Sequence, residues 1–170
     1  MRLYRGKIEI ISEDIIRDLR ASGDIDVEDA GEARLDIEAV LKEYLRLDRE
    51  ILEEAKNRME VRGLGYSHLG KVKSQVGKER GAPSHDDVLP YLLEQILNIL
   101  FHSHNISEIY AEDVDLRKKI TPILRKHMDV ENDLDREVRS KIKNLEEGTS
   151  DFEVEYQRVM SQIKDKRRLS

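Results

Sequence analysis

The chain has 170 residues, 39% of them charged and 38% hydrophobic, with no cysteine. The absence of cysteine excludes disulfide scaffolds, thiolate metal sites and thiol nucleophiles, and the apolar content is too high for a disordered chain. Aromatic residues are few, and only nine glycines and three prolines interrupt the sequence. This composition favours an all-α fold, and the net charge of −6 argues against a general nucleic-acid binder.

Apolar residues recur at intervals of three and four, the spacing that places them on one face of an amphipathic helix. The first such stripe contains Ile8, Ile11, Ile15 and Leu19. The stripes predict seven main helices, over residues 7–21, 28–46, 49–62, 86–102, 111–128, 132–146 and 151–167. A shorter eighth helix is predicted near residues 67–78.

The residues at the ends of the predicted helices are of the types that start or end a helix. Gly23, Gly63 and Gly148 are typical of the left-handed position that closes a helix. Ser150 followed by Glu153 fits a capping box that opens the last helix. Ser84, which precedes two aspartates, suits the start of the helix over residues 86–102.

The two halves of the chain resemble each other. Residues 15–25 (IIRDLRASGDI) align with residues 96–106 (ILNILFHSHNI), and four of the eleven positions are identical. We therefore predict an all-α protein of two related three-helix units that arose by internal duplication. The predicted units are residues 1–62 and 85–170, the second with an appended C-terminal helix. A basic connector, residues 63–84, joins them, and the sequence leaves open whether the two units touch.

Charge is distributed in blocks that either pair in the fold or form binding surfaces. Three basic groups are candidates for phosphate contacts. The first contains Arg58, Arg62, Lys71, Lys73, Lys78 and Arg80. The second contains Arg117, Lys118, Lys119, Arg125 and Lys126. The third joins Arg139, Lys141 and Lys143 to Lys164, Lys166, Arg167 and Arg168. The alternative interpretation is that these side chains are solvated or paired with carboxylates on helix faces.

His102 and His104 are weak candidates for metal ligands. The repeat alignment places them where the first half has a helix end, and a histidine at a helix C-terminus favourably bonds the last free carbonyls. We favour this structural interpretation, and we predict no metal site and no cofactor. Calcium loops of the EF-hand type and phosphate-binding loops lack their required residues. No nucleophile–base set is recognisable, so an enzyme is not favoured, although enzymatic activity stays open.

Three functional hypotheses follow. The leading one is a non-enzymatic protein-interaction or assembly module, which binds an unknown protein partner or itself. Its candidate apolar anchors are the residues that fall off the main stripes, namely Leu47, Leu52, Leu64, Tyr66, Leu97 and Tyr110. The alternative is an RNA- or ribosome-associated protein that uses the basic groups, and the third is a metal-dependent enzyme at His102 and His104. No signal peptide or membrane span is recognisable, so we expect a cytoplasmic protein without a membrane partner.

Several segments resemble a bacterial family catalogued as domain of unknown function 507. They are the opening MRLYRGKI, residues 107–128 (SEIYAEDVDLRKKITPILRKHM) and residues 137–160 (EVRSKIKNLEEGTSDFEVEYQRVM). The resemblance covers essentially the whole chain, although we expect Trp in the family near Phe152. It implies an all-helical cytoplasmic bacterial protein, and it supplies no activity and no functional residues.

Overall fold

A computed structural model shows a mostly helical protein, with 75% of the residues in helices. It describes residues 1–169, apart from the side chains of residues 131 and 132. The α-helices are α1 (Ile8–Ala21), α2 (Ala30–Arg62), α3 (Leu69–Glu79), α4 (Val88–His102), α5 (Asp113–Met128), α6 (Val130–Lys141) and α7 (Ser150–Lys166). The strands are β1 (Ile25–Val27) and β2 (Ile106–Ile109). The predicted all-α class is thus confirmed, apart from one small sheet.

The two strands pair antiparallel and join the first half of the chain to the second. Ile25 faces Ile109, and the register is irregular between Asp26 and Val27. Three or four residues are too few for an alternating pattern to be recognised in the sequence, so the strands were not predicted. They hold the C-terminal ends of α1 and α4 beside the starts of α2 and α5.

The predicted break between residues 46 and 49 is wrong, because α2 is one helix of 33 residues. No glycine or proline lies near this point, so nothing interrupts the backbone hydrogen bonds. Arg46 also bonds Glu43 and Glu50, which lie three and four residues away on the same helix face. Asp29 caps the start of α2 by accepting from the Glu32 amide at 3.1 Å, and Gly63 closes its end with φ +65°.

The last two helices differ from the prediction at their ends. Helix α6 ends at Lys141 rather than residue 146, so Gly148 lies in the turn before α7 instead of capping α6. The cap of α7 is Thr149, whose hydroxyl accepts from the Phe152 amide at 3.2 Å. The predicted capping residue, Ser150, is the first residue of the helix. By contrast, the predicted eighth helix is present as α3.

A central core unites both halves of the chain. It contains buried residues of α1, α4, α5 and the first part of α2, together with Ile25 and Ile106 of the strands. Isoleucine and leucine dominate it, and Ile11, Ile15 and Leu92 are fully buried. The two halves therefore share one hydrophobic core.

Two smaller cores lie beyond the central one. The α2–α3 arm consists of the second part of α2 packed on α3, around Ile51, Ala55, Met59, Val72 and Val76. The α6–α7 arm consists of α6 packed on α7, around Leu134, Val138, Phe152, Val159 and Ile163. Both arms continue from helices that start at the sheet and run away from it.

The N-terminal segment connects the α6–α7 arm to the central core. Leu3 belongs to the central core, whereas Tyr4 belongs to the arm. Gly6 approaches the C-terminal segment so closely that a Cβ atom there would lie 1.7 Å from the Arg168 carbonyl oxygen. Leu169 is buried in the same arm. The two ends of the chain therefore meet and hold the arm in place.

Within residues 1–169, no helix combines the length and the apolar character needed to cross a lipid bilayer.

Candidate interaction surfaces

His102 is the last residue of α4, and His104 lies in the turn that follows it. His102 lies in the last turn, and its Nδ1 is 2.7 Å from the Asn98 carbonyl oxygen. Because a carbonyl oxygen can only accept, Nδ1 is the protonated nitrogen. This bond is the one expected of a histidine at a helix C-terminus. In the described part of the chain, no group of three or more His, Asp or Glu side chains is arranged to hold a metal ion.

A third histidine forms a buried pair that sequence analysis did not identify. His127 of α5 lies with its Nε2 2.7 Å from the Asp14 carboxylate of α1, and both residues are buried. Burial alone raises the pKa of Asp14, but the His127 hydrogen bond and the Arg17 charge outweigh it and lower that pKa below its usual value. The pair joins α1 to α5 inside the fold, which is the arrangement of a structural contact.

The first basic group lies on the α2–α3 arm, and half of it is paired with acids. Arg58 bonds Glu79 at 2.6 Å, Arg80 bonds Glu50 at 2.8 Å, and Lys73 lies 3.5 Å from Asp48. These pairs hold α3 against α2. The other three members are Arg62, Lys71 and Lys78. None of them has a carboxylate of a described residue within 4 Å.

The second and third groups are divided in the same way. Arg117 pairs with Glu94 at 2.6 Å and with Asp113, and Lys119 pairs with Asp24. Arg139 pairs with Asp135 and Glu147, both at 3.1 Å. Lys141 and Arg167 both pair with Glu137. No ion pair within 4 Å is seen in residues 1–169 for Lys118, Arg125, Lys126 or Lys143.

A fourth basic group forms where the two ends of the chain meet, and sequence analysis missed three of its eight cations, namely Arg2, Arg5 and Lys7. The Arg2 amide donates to the Met128 carbonyl at 3.2 Å, which places the N-terminus at the end of α5. The Tyr4 ring lies 5.2 Å from the Arg2 guanidinium and 5.5 Å from the Lys164 ammonium. We call this surface the terminal junction, and its cations are Arg2, Arg5, Lys7, Arg125, Lys126, Lys164, Lys166 and Arg168.

The sheet end of the molecule is acidic. The Tyr110 hydroxyl donates to the Asp26 carboxylate at 2.6 Å, a bond that raises the pKa of Tyr110. In the described chain, the carboxylates of Glu108, Glu112 and Asp115 have no cation within 4 Å. We call this surface the acidic end, and its residues are Asp26, Glu108, Tyr110, Glu112, Val114 and Asp115.

The exposed apolar residues match the predicted anchors only in part. Leu97 is buried at 1% exposure in the central core, so that prediction is wrong, and Leu47, Leu52 and Leu64 are half-buried. Tyr66 and Tyr110 are 82% and 64% exposed. Two residues that were not among the predicted anchors are also exposed, Val61 at 88% and Val114 at 55%. Val61 and Tyr66 lie at the end of the α2–α3 arm, and we call this surface the basic tip, which comprises Val61, Arg62, Tyr66, His68 and Lys71.

A groove of about 320 Å³ separates the α2–α3 arm from the central core. Its wall on α2 includes Tyr44, whose pKa burial raises to about 12, with Asp48 adding to the effect. Gly70, Ser74 and Gly77 of α3 line the opposite side. Because these side chains are small, α3 lies close to α2 and the space beside it stays open as a groove.

The family comparison covers the whole described chain. The model of the family described as protein of unknown function (DUF507) matches residues 1–169. The chain belongs to the DUF507 family. A comparison with curated proteins finds no match. The family assignment confirms the resemblance seen in the sequence, and it indicates no specific function for this DUF507 protein.

Proposed function

We propose that this DUF507 protein is a non-enzymatic assembly module that associates with further copies of itself. In this assembly the basic tip of one copy binds the acidic end of another copy. The observation that carries the proposal is that the same molecule exposes two apolar surfaces of opposite charge. No comparable argument supports catalysis, because His102 and the buried Asp14–His127 pair both make structural contacts.

The two surfaces complement each other in both chemistry and charge. Arg62, His68 and Lys71 are close to Val61 and Tyr66 in the sequence, with Glu60 as the nearby acid, whereas Glu108, Glu112 and Asp115 are close to Tyr110 and Val114, with Lys118 as the cation one helical turn from Val114. Exposed apolar side chains supply the buried contact of an interface, and an opposite-charge rim fixes its orientation and speeds association. Like surfaces would repel, so two basic tips do not pair with each other.

The geometry also favours a head-to-tail contact. The acidic end lies at the sheet, and α2 runs away from the sheet for 33 residues to the basic tip, which at 1.5 Å per residue is about 50 Å. The two surfaces are therefore too far apart to meet within one molecule. A contact between unlike surfaces is heterologous, and it generates rings or open chains of copies.

Sedimentation velocity over a range of protein concentrations tests the proposal. The tip variant Val61→Ser/Tyr66→Ala and the end variant Tyr110→Ala/Val114→Ser each lose one surface. Each alone is expected to be monomeric, and a mixture of the two is expected to form a dimer, because one intact tip and one intact end remain. The control Val154→Ser removes an exposed valine of α7 and is expected to assemble like the wild type.

Three outcomes would overturn the proposal. They are a wild-type protein that stays a 19.8 kDa monomer at every concentration, a mixture that does not dimerise, and an association that strengthens with salt. Since charge pairing at exposed sites is screened by salt, the proposal requires weaker assembly at high ionic strength.

We also propose that the chain consists of two related units joined by a connector. The order helix–strand–helix occurs in both halves, with a helical arm after each, and this supports an internal duplication with units at 1–62 and 85–170. In that description α3 belongs to the connector, residues 63–84.

The bacterial origin and the cytoplasmic location implied by the family resemblance are likewise proposed.

A further inference from the structure

We propose that the terminal junction binds the phosphate backbone of a nucleic-acid duplex. This inference goes beyond self-assembly, because it uses neither the basic tip nor the acidic end. It rests on three segments that are distant in the sequence and adjacent in the fold: residues 2–7, the last turn of α5, and residues 164–168.

The junction is held together by contacts of the backbone and of one ring. The hydrogen bond from the Arg2 amide to the Met128 carbonyl places the first segment against α5. The close approach of Gly6 to Arg168 places the same segment against the end of α7. Arg2 and Lys164 both lie over the Tyr4 ring. The cations are therefore presented by an ordered framework rather than by loose ends.

The junction cations are available to a ligand, whereas many other cations are not. Arg58, Arg117 and Arg139 each bond two carboxylates. None of the eight junction cations has a carboxylate within 4 Å in the described part of the chain. The nearby acids in the sequence are Glu9, Asp129, Glu131 and Asp165, together with the C-terminal carboxylate. They are fewer than the eight cations, so the local charge stays positive although the protein carries −6 overall.

The junction favours a duplex backbone over single strands. Proteins that bind single strands stack exposed aromatic rings on the bases. The junction's aromatic side chain, Tyr4, is only 4% exposed and is covered by two cations. A surface of arginine and lysine without stacking rings contacts phosphates and reads no sequence.

Fluorescence anisotropy with a labelled RNA duplex of about 20 base pairs tests the proposal on the full chain. The double variant Arg5→Ala/Arg125→Ala removes two junction cations that form no ion pair or ring contact with any other described residue. Its matched control, Arg117→Ala/Arg158→Ala, removes two arginines that are paired with acids. Both variants change the net charge by the same amount, and circular dichroism checks that both remain folded.

We expect the wild type to bind the duplex with an affinity that falls steeply with salt. The junction variant should bind at least tenfold more weakly. Its plot of log affinity against log salt concentration should also be less steep, by about 2 in slope, because each lost phosphate contact removes about 0.9 from that slope. The control variant should stay within about twofold of the wild type. Binding of a DNA duplex of the same length with equal affinity supports recognition of the backbone alone, and stronger binding of the RNA duplex assigns RNA as its source.

Three results would overturn the inference. The first is the absence of duplex binding at 50 mM salt, where phosphate contacts are strong. The second is an equal loss in the junction and control variants, which would mean that overall charge rather than this surface matters. The third is binding to vesicles of anionic lipid without binding to either duplex. Each result leaves the self-assembly test unaffected, because that test uses other residues and needs no nucleic acid.

Discussion

Each of the two arms is a pair of packed helices, but the arms are attached to the central core in different ways. The α2–α3 arm continues from the core without interruption, because α2 is a single helix of 33 residues. The α6–α7 arm follows a break at Asp129, where ψ is 34°, and depends on contacts from both chain ends. One arm is oriented by the continuity of a helix and the other by tertiary contacts.

This difference shows why the ends of the chain matter. An unbroken helix transmits its direction through backbone hydrogen bonds alone. After a break, the direction of the next helix must be fixed by packing, and here Tyr4 and Leu169 are buried against the α6–α7 arm. We therefore expect changes near the termini to affect one arm and changes in the middle of α2 to affect the other.

The largest expected effect comes from interrupting α2. Asp48→Pro removes the amide that bonds the Tyr44 carbonyl and clashes with that group, so we expect the free energy of unfolding to fall by about 3 kcal/mol or more. The α2–α3 arm should lose its fixed orientation. Denaturant titration measures the change. Asp48→Ala removes only the ion pair with Lys73 and should cost less than about 1 kcal/mol. Equal losses in the two variants would contradict a continuous α2.

A change in the shared core should affect both arms alike. Asp14→Ala leaves His127 buried without its partner, and we expect a loss of about 3 kcal/mol, measured by denaturant titration. Hydrogen exchange should speed up in both arms together, since both depend on this core. A loss limited to one arm would contradict a common core.

The same pair predicts a pH dependence. Because the pKa of Asp14 is lower in the folded protein than in the unfolded chain, its contribution is complete above the unfolded pKa of about 4. It is lost as the pH falls through the folded value. The wild type should therefore lose stability below about pH 4 more steeply than Asp14→Asn, as unfolding titrations at several pH values would show. Parallel curves would mean that the Asp14 pKa is not lowered.

A moderate effect is expected where the chain ends meet. Gly6→Ala places a methyl group on the Arg168 carbonyl, so the C-terminal segment must move and Leu169 becomes exposed. The expected loss is about 2 kcal/mol, the value of burying one leucine side chain. Hydrogen exchange should increase in α6 and α7 and stay unchanged in α3. The control Gly65→Ala meets open space and should be nearly neutral.

The smallest expected effect is a stabilisation of the α2–α3 arm. Gly77 lies inside α3, and an added Cβ would meet no atom within 4 Å. Gly77→Ala should therefore raise the free energy of unfolding by about 0.5–1 kcal/mol, because alanine favours the helix and restricts the unfolded chain. Thermal unfolding measures this change. A destabilised variant would indicate that the arm packs against the groove more closely than the structure shows.

Sequence analysis predicted most of the helices because their apolar stripes are long. It missed the strands, which are too short for a pattern, and it placed a break in α2 where no breaker residue stands. It misjudged Leu97 because α4 is apolar around most of its circumference, which indicates a helix buried on several sides. The basic groups were recognised, but the pairing of Arg58 with Glu79 joins two helices and has no local signal in the sequence. The terminal junction joins residues 2–7 to 164–168, and no local pattern predicts that contact.

The most direct test of head-to-tail assembly uses the absence of cysteine in the chain. Val61→Cys and Val114→Cys each introduce a single thiol, one in the basic tip and one in the acidic end. The two proteins are mixed under mild oxidation, and the disulfide-linked products are measured by mass. Our account predicts that the mixed Val61–Val114 disulfide forms faster than either disulfide between identical variants. A statistical mixture of the three products, or no cross-linking at all, would contradict it.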